Sequence, residues 1–180
     1  TIMPEPIPLD LKVIIIGDSY TYQLLYIYDD DFKKMFRIRA DFDIEMDRSE
    51  ENIKKIISFI AQHCSEEGLK PFHKGAIERI LEYGSRLAEH QNKLTTRFNE
   101  IVEIMYEADA WADQDGSCIV LREHVDKAID EKVYRNNKFE EKIQELIAEG
   151  TILINILGHK VGEINGLSVM GSGQYSFGRP

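Results

Sequence analysis

The feature that most constrains the fold is a block of helical periodicity between residues 47 and 149. Branched apolar residues return there every three or four positions, with charged residues between them. That spacing places the apolar side chains on one face of each α-helix. Breaks at Gly68, Pro71, Gly116 and Gly150 divide the block, because glycine and proline end or restart helices. The block therefore predicts four or five helices around a shared core.

Capping residues predict where these helices begin and end. Asp47 followed three positions later by Glu50 matches the capping-box pattern. Thr95 and Thr96 are candidate N-caps for the third helix. Gly150 is predicted to end the last helix as a residue in the left-handed conformation.

Strand-like sequence flanks the block on both sides. Residues 11–16 (LKVIII) form a nearly continuous apolar run, typical of a strand covered on both faces, and residues 36–43 alternate apolar and polar side chains. A helix is predicted between them over residues 20–28. Residues 151–157 and 160–170 are predicted as further strands. The predicted fold class is mainly α, of the α+β type: a helical module between a strand–helix–strand segment and a short β segment.

Composition restricts the class of protein. The net charge of −10 argues against nucleic acid and against an anionic membrane surface as partners. No apolar run approaches the roughly 20 residues of a membrane-spanning helix, and the first ten residues lack the basic start of a signal peptide. Cys64 and Cys118 show no CxxC spacing, so a reducing cytoplasm is the predicted location.

The string Gly17-Asp18-Ser19 allows two functional interpretations. A serine after a first strand resembles the first block of the GDSL (SGNH) hydrolases. Such a serine needs a base to remove its proton, and none of the five histidines has the aspartate three residues earlier that this family uses. A hydrolase would nevertheless show Ser19 reacting with an organophosphonate probe. In the other interpretation, Asp18 is a polar residue at the end of a buried strand.

Longer motifs resemble one particular family. The order of strand, helix, strand and helical module resembles the later part of an AAA+ ATPase domain, although the sequence contains no GxxxxGK[ST] loop. EGTI (149–152), VGEINGLSV (161–169) and YSFGRP (175–180) resemble the entry into the proteolytic domain of Lon-like, LonB-type ATP-dependent proteases. Residues 6–18 and 36–43 are similar to the ATPase part of that family.

This resemblance implies a domain organisation. Residues 1–46 would be the C-terminal part of the AAA+ α/β subdomain, and 47–136 the helical lid. Residues 137–150 would be a connecting helix, and 151–180 the first strands of the Lon protease domain.

The resemblance also implies a function. The family degrades protein substrates as a homo-hexamer, uses ATP and Mg²⁺, and cuts peptide bonds with a Ser-Lys dyad. By that pattern the phosphate loop would lie before Thr1 and the dyad beyond Pro180, so no catalytic residue and no metal ligand is assigned here. The chain alone is expected to bind no cofactor, to hydrolyse no ATP and to cut no peptides.

Four residues are site candidates by resemblance. Asp18 takes the position of the first nucleotide sensor, with a turn residue at the end of a strand as the alternative. Arg37 is the first choice for the arginine finger that acts on a neighbouring subunit, and Lys34 the second, although solvated charges flanking a strand would look the same. Arg97 takes the position of the second sensor.

Physical chemistry adds to the assignment of Arg97. A cation in the first turn of a helix faces the positive end of the helix dipole, which costs about 0.3–1 kcal/mol. That placement makes sense if Arg97 and the helix N-terminus together meet an anion. The alternative is an i,i+3 ion pair with Glu100.

Other residues are assigned to structure. Because the chain is acidic, the four tyrosines between residues 20 and 28 are predicted to pack in a core or interface and not to stack on bases. Trp111 is predicted in the helical core and His124 on a helix surface. The alternative to the protease is a non-enzymatic helical interaction or adaptor module, in which Asp18 and Arg97 have no chemical role.

Overall fold

The computed structural model describes residues 10–155, 157–172 and 175–179, and within them it is mainly helical, as predicted. The chain divides into two compact units, residues 1–42 and 43–180. The helices and strands of the described part are α1 Ser19–Tyr28, α2 Asp30–Met35, β1 Glu45–Asp47, α3 Glu50–Glu67, α4 Lys74–Leu87, β2 Lys93–Thr95, α5 Phe98–Gln114, α6 Arg122–Asn136, α7 Lys138–Ala148, β3 Ser168–Ser172 and β4 Tyr175–Arg179.

Helices α3 to α6 share one hydrophobic core, which the apolar periodicity predicts. Full burial of an aliphatic side chain contributes about 1.5–3 kcal/mol, so this core is the main source of stability in the second unit. Trp111 packs against it, as predicted. The largest fully buried apolar side chains are Ile56, Ile60, Ile80, Leu94, Ile101, Ile104, Met105, Val120, Val125 and Ile129.

A short antiparallel ladder between β1 and β2 joins the start of this unit to the segment before α5. Glu45 pairs with Thr95, and Met46 with Leu94. Leu94 is fully buried, so the ladder is anchored in the helical core. The sequence analysis missed both strands, because three residues are too few to show an alternating pattern.

The helix ends agree with the predicted pattern in part. Gly68 (φ 70°) and Gly150 (φ 75°) are left-handed residues at the ends of α3 and α7, and for Gly150 this confirms the prediction. The capping box at Asp47 is wrong. Ser49 is the N-cap of α3, and its side chain accepts a hydrogen bond of 3.2 Å from the Asn52 amide.

In the first unit α1 and α2 form, but the strands predicted at 11–16 and 36–43 do not. Ile16 is 94% exposed and Phe42 is 91% exposed. A strand is stabilised by hydrogen bonds to neighbouring strands, and neither segment is paired with one within the described residues. An apolar strand pattern therefore predicts a strand only where its neighbours are present.

The sequence after Gly150 also differs from the prediction. The described residues of 151–157 are irregular, and of the strand predicted at 160–170 only Ser168–Met170 forms, as the start of β3. β3 and β4 make an antiparallel hairpin. The Phe177 ring of this hairpin lies edge-on to the Phe139 ring of α7, with centroids 5.9 Å apart. In the described part of the chain, no helix is long and apolar enough to cross a membrane.

Candidate functional site

Arg97 is the N-cap residue of α5, one position before the first turn in which it was predicted. Its amide donates to the Thr95 hydroxyl (3.1 Å), and its carbonyl accepts from the Glu100 amide (3.0 Å). Thr95 is buried in β2. The backbone of Arg97 is therefore fixed to the core, whereas its side chain is exposed.

The N-terminus of α5 has no side-chain cap. Thr95 and Thr96, the predicted N-caps, have other partners. Thr95 accepts from the Arg97 amide, and the Thr96 hydroxyl donates to the Asp43 carbonyl. The first amides of a helix carry partial positive charge and normally find an acceptor. This end of α5 is thus a positive helix terminus beside an exposed guanidinium.

The ion pair between Arg97 and Glu100, which was the alternative interpretation, is not formed. The Glu100 carboxylate instead binds Lys132 of α6, with Oε2 2.6 Å from Nζ. Within the described ranges, Arg97 has no ion pair with any acidic side chain. The Arg97 guanidinium is therefore available to an anion.

Lys132 also binds the Glu103 carboxylate, at 2.9 Å. Burial by itself would lower the pKa of Lys132, but its hydrogen bonds to Glu100 and Glu103 outweigh that effect and raise the pKa above the usual lysine range. The buried phenol of Tyr83 lies beside this group, and burial raises its pKa. Lys132 of α6 consequently stays positively charged where it meets Glu100 and Glu103 of α5.

An aromatic cluster that the sequence analysis missed begins at the residue after Arg97. The Phe98 ring packs on Phe59 of α3 (4.8 Å between centroids), and Phe59 stacks on His63 (5.8 Å). The His63 ring is edge-on to Tyr106. The spacing of Phe59 and His63, four apart on one helix, is the signal that could have predicted their contact.

Asp18 is the N-cap of α1. Its two carboxylate oxygens accept from the Thr21 amide (2.8 Å) and the Thr21 hydroxyl (2.7 Å). These bonds hold the pKa of Asp18 below its usual value, so an exposed carboxylate stays charged with a fixed orientation. Ser19 is the first residue of the helix, and residues 1–42 contain no histidine that could activate it.

The two arginine-finger candidates differ in their partners. Lys34 forms an ion pair with Asp31, one helical turn away, at 2.9 Å. The Arg37 Nε donates to the Lys34 carbonyl (3.1 Å), and Arg37 has no carboxylate partner within the described residues. Arg39 is bound to Asp41 at 2.6 Å. Of these cations, Arg37 keeps the most available charge.

The prediction that His124 lies on a helix surface is wrong. The residue is buried, with 2% of its surface exposed. Its Nδ1 accepts a hydrogen bond of 3.0 Å from the Leu121 amide at the start of α6. Its Nε2 lies 3.4 Å from an Asp115 oxygen. The imidazole therefore satisfies a backbone donor that has no partner inside the helix.

The tyrosines of α1 divide into two pairs. The Tyr22 ring stacks on Tyr26 at 5.9 Å and meets the edge of Phe32 at 5.7 Å. Tyr20 and Tyr28 are largely exposed. The rings of Tyr22 and Tyr26 therefore pack together, although Tyr26 is half exposed, and packing of the four tyrosines in an interface stays a prediction.

Two family models match the chain. The model described as LonB-like, AAA domain, matches residues 1–43, and that described as Archaeal LonB, AAA+ ATPase LID domain, matches residues 71–135. The class of protein that the two models define is therefore that of the AAA+ ATPases.

Similarity to whole proteins extends over nearly all of the chain. An archaeal Lon protease of Archaeoglobus fulgidus is 29% identical over 175 residues, which cover 93% of this chain and 27% of that protein. One of Pyrococcus abyssi is 24% identical (93% and 17%), and one of Thermoplasma volcanium 25% (95% and 26%). The chain belongs to the LonB-type family of Lon-like proteases. It spans about a quarter, or less, of the length of these relatives.

Proposed function

We propose that the chain works as part of an ATP-dependent serine-type endopeptidase that unfolds and degrades proteins, and that its helical unit is the lid that senses nucleotide. The observation that carries the proposal is Arg97: an exposed guanidinium without an acidic partner in the described residues, at an uncapped helix N-terminus. Two cationic groups side by side repel each other and are compatible when an anion binds both.

The lid would sense nucleotide through the position of Arg97. A planar guanidinium can bind two phosphate oxygens at once, and the partial positive charge at the start of α5 attracts the same anion. Because the Arg97 backbone is bonded to buried Thr95, a phosphate bound there is linked to the helical core. Gain or loss of the phosphate then acts on the helical unit as a whole.

Two residues of the first unit have proposed roles of their own. The Asp18 carboxylate would orient a water molecule and not touch phosphate directly, since like charges repel. Arg37 would serve as the arginine finger toward a neighbouring subunit because its charge is more available than that of Lys34, which is bound to Asp31.

ATP and Mg²⁺ are the cofactors of this proposal. In the described ranges, no group of three or more histidine, cysteine or acidic side chains could hold a metal ion, so no residue here is assigned to Mg²⁺. By family resemblance, the proposal includes a Ser-Lys dyad outside these 180 residues, a homo-hexamer, protein substrates and a cytoplasmic location, without a need for nucleic acid. Relatives named archaeal Lon protease support the proteolytic activity.

The test is Arg97→Gln in the full-length protease. Loss of a charged hydrogen bond to phosphate should reduce kcat/KM for ATP hydrolysis by about tenfold or more. Arg48→Gln is the matched control, because Arg48 is also an exposed arginine of the second unit but lies outside α5. Unfolding curves of both variants should match the wild type.

An ATPase rate unchanged by Arg97→Gln would contradict the sensing role. That result, together with a native protein of about the size of this chain, would favour the helical adaptor module instead. Labelling of Ser19 by an organophosphonate would favour the hydrolase.

A further inference from the structure

One lysine joins α6 to the beginning of α5. Lys132 Nζ lies 2.6 Å from the Glu100 carboxylate and 2.9 Å from that of Glu103. The side chains of Lys132 and Glu100 are only 12% and 14% exposed. Charges sheltered in this way are screened less by water and salt than a surface pair, so Glu100 is held firmly on the side of α6.

Glu100 is also a neighbour of Arg97 along the helix. Residues three positions apart on a helix face each other and pair when their charges are opposite. A carboxylate bound to Arg97 would compete with any phosphate for the guanidinium. The place of the Glu100 carboxylate therefore decides whether the charge of Arg97 is available, and Lys132 determines that place.

We propose that Lys132 is the positioning residue for Arg97: it binds Glu100 and so keeps that carboxylate from the guanidinium, and it offsets the charge of Glu100 and Glu103. A polyphosphate then meets Arg97 and the positive end of α5 without a competing anion. This inference rests on the proposed function, in which Arg97 binds the phosphate of a nucleotide, and adds the residue that controls it.

The experiment measures binding of sodium tripolyphosphate to the purified 180-residue chain at low ionic strength. NMR follows the Arg97 Nε–H resonance and the amide resonances of the first turn of α5. The variants are Arg97→Gln, Lys132→Met, Lys132→Arg, Glu100→Gln and the double variant Lys132→Met/Glu100→Gln. Lys127→Met is the matched control, because it removes the same charge from α6, where Lys127 stacks on Trp111.

We expect Lys132→Met to weaken tripolyphosphate binding about two- to fivefold, which is the strength of an exposed ion pair that Glu100 can then form with Arg97. Removing the competing carboxylate in the double variant should restore the affinity to within about twofold of the wild type. Lys132→Arg, which keeps the cation, and Lys127→Met should bind like the wild type. A purely structural role of Lys132 would not produce rescue by Glu100→Gln.

The outcomes separate this inference from the proposed function. A wild-type chain without saturable shifts at Arg97, or with shifts that persist in Arg97→Gln, overturns the inference, whereas the sensing role is decided by ATP hydrolysis of Arg97→Gln in the full-length protease. Binding that needs Arg97 but is unchanged by Lys132→Met overturns the inference alone, as does a double variant as weak as Lys132→Met. If Lys132→Met does not fold, Glu100→Gln decides: we expect equal or tighter binding, and weaker binding refutes the inference.

Discussion

Isoleucine-rich segments of the two units have opposite environments. Ile56 and Ile60 of α3 are almost fully buried, whereas Ile14 and Ile16, in the predicted first strand, are 84% and 94% exposed. A helix makes its own backbone hydrogen bonds and needs only one packing face, which nearby helices supply. A strand depends on other strands for its hydrogen bonds. Equal hydrophobicity therefore gives a stable core in one unit and an exposed surface in the other.

The prediction with the largest expected effect replaces one isoleucine by alanine in each unit. Ile104→Ala, at a fully buried position of α5, should lower the free energy of unfolding by about 2–5 kcal/mol because it leaves a cavity. Ile16→Ala removes the same atoms from an exposed position and should change the free energy of unfolding by less than about 0.5 kcal/mol. Urea unfolding followed by circular dichroism measures both. Equal losses would show that the segment around Ile16 is buried in solution.

His124 tests whether one buried polar contact matters as much as the surrounding core. His124→Ala should destabilise the helical unit by about 1–3 kcal/mol, since the Leu121 amide loses its acceptor in a buried site. His159→Ala, at an exposed position with no hydrogen bond in the described structure, is the control and should have no effect. A His124 variant as stable as the wild type would mean that water replaces the imidazole.

Two helix caps sharpen the comparison at a smaller scale. Ser49→Ala removes the N-cap of α3 and should cost about 1 kcal/mol in the main unfolding transition, because α3 belongs to the core. Asp18→Ala removes the equivalent cap of α1 and should reduce helix content without moving that transition. Thermal unfolding combined with circular dichroism distinguishes the two effects. A lower main transition temperature in Asp18→Ala would show that the two units unfold together.

The smallest expected effect is the pH dependence of α1. Hydrogen bonds from Thr21 lower the pKa of Asp18 in the folded state. The stability that the ionised Asp18 cap gives to α1 is therefore fully present above the unfolded pKa of about 3.9. It is lost as the pH falls through the lower folded value. NMR of the Thr21 amide should follow this titration, and in Asp18→Asn the step should vanish. A Thr21 amide titrating above the unfolded value would contradict the cap.

The sequence was sufficient to predict α3 to α7, since each is set by local spacing and ends at a local signal such as Gly150. It was insufficient where residues far apart in sequence determine a contact or the burial of a side chain. Glu100 forms its ion pair with Lys132 of α6, although the i,i+3 rule for helices would pair it with Arg97. Leu94 is fully buried in the helical core, and no short window of sequence shows this. The sequence placed the start of α5 within two residues, since Arg97 and not Thr95 or Thr96 is its N-cap.

The ladder between β1 and β2 has a consequence for the order of folding. Its two strands close a loop, residues 48–92, that contains α3 and α4. Closure of such a loop costs more chain entropy than contacts between residues close in sequence. Isolated helical turns form within about a microsecond, whereas contacts distant in sequence come later. Arg97 lies two residues beyond the end of β2, so its side chain reaches its final place only after this loop has closed. The residue with which the protein would detect its nucleotide is then among the last parts of the unit to become native.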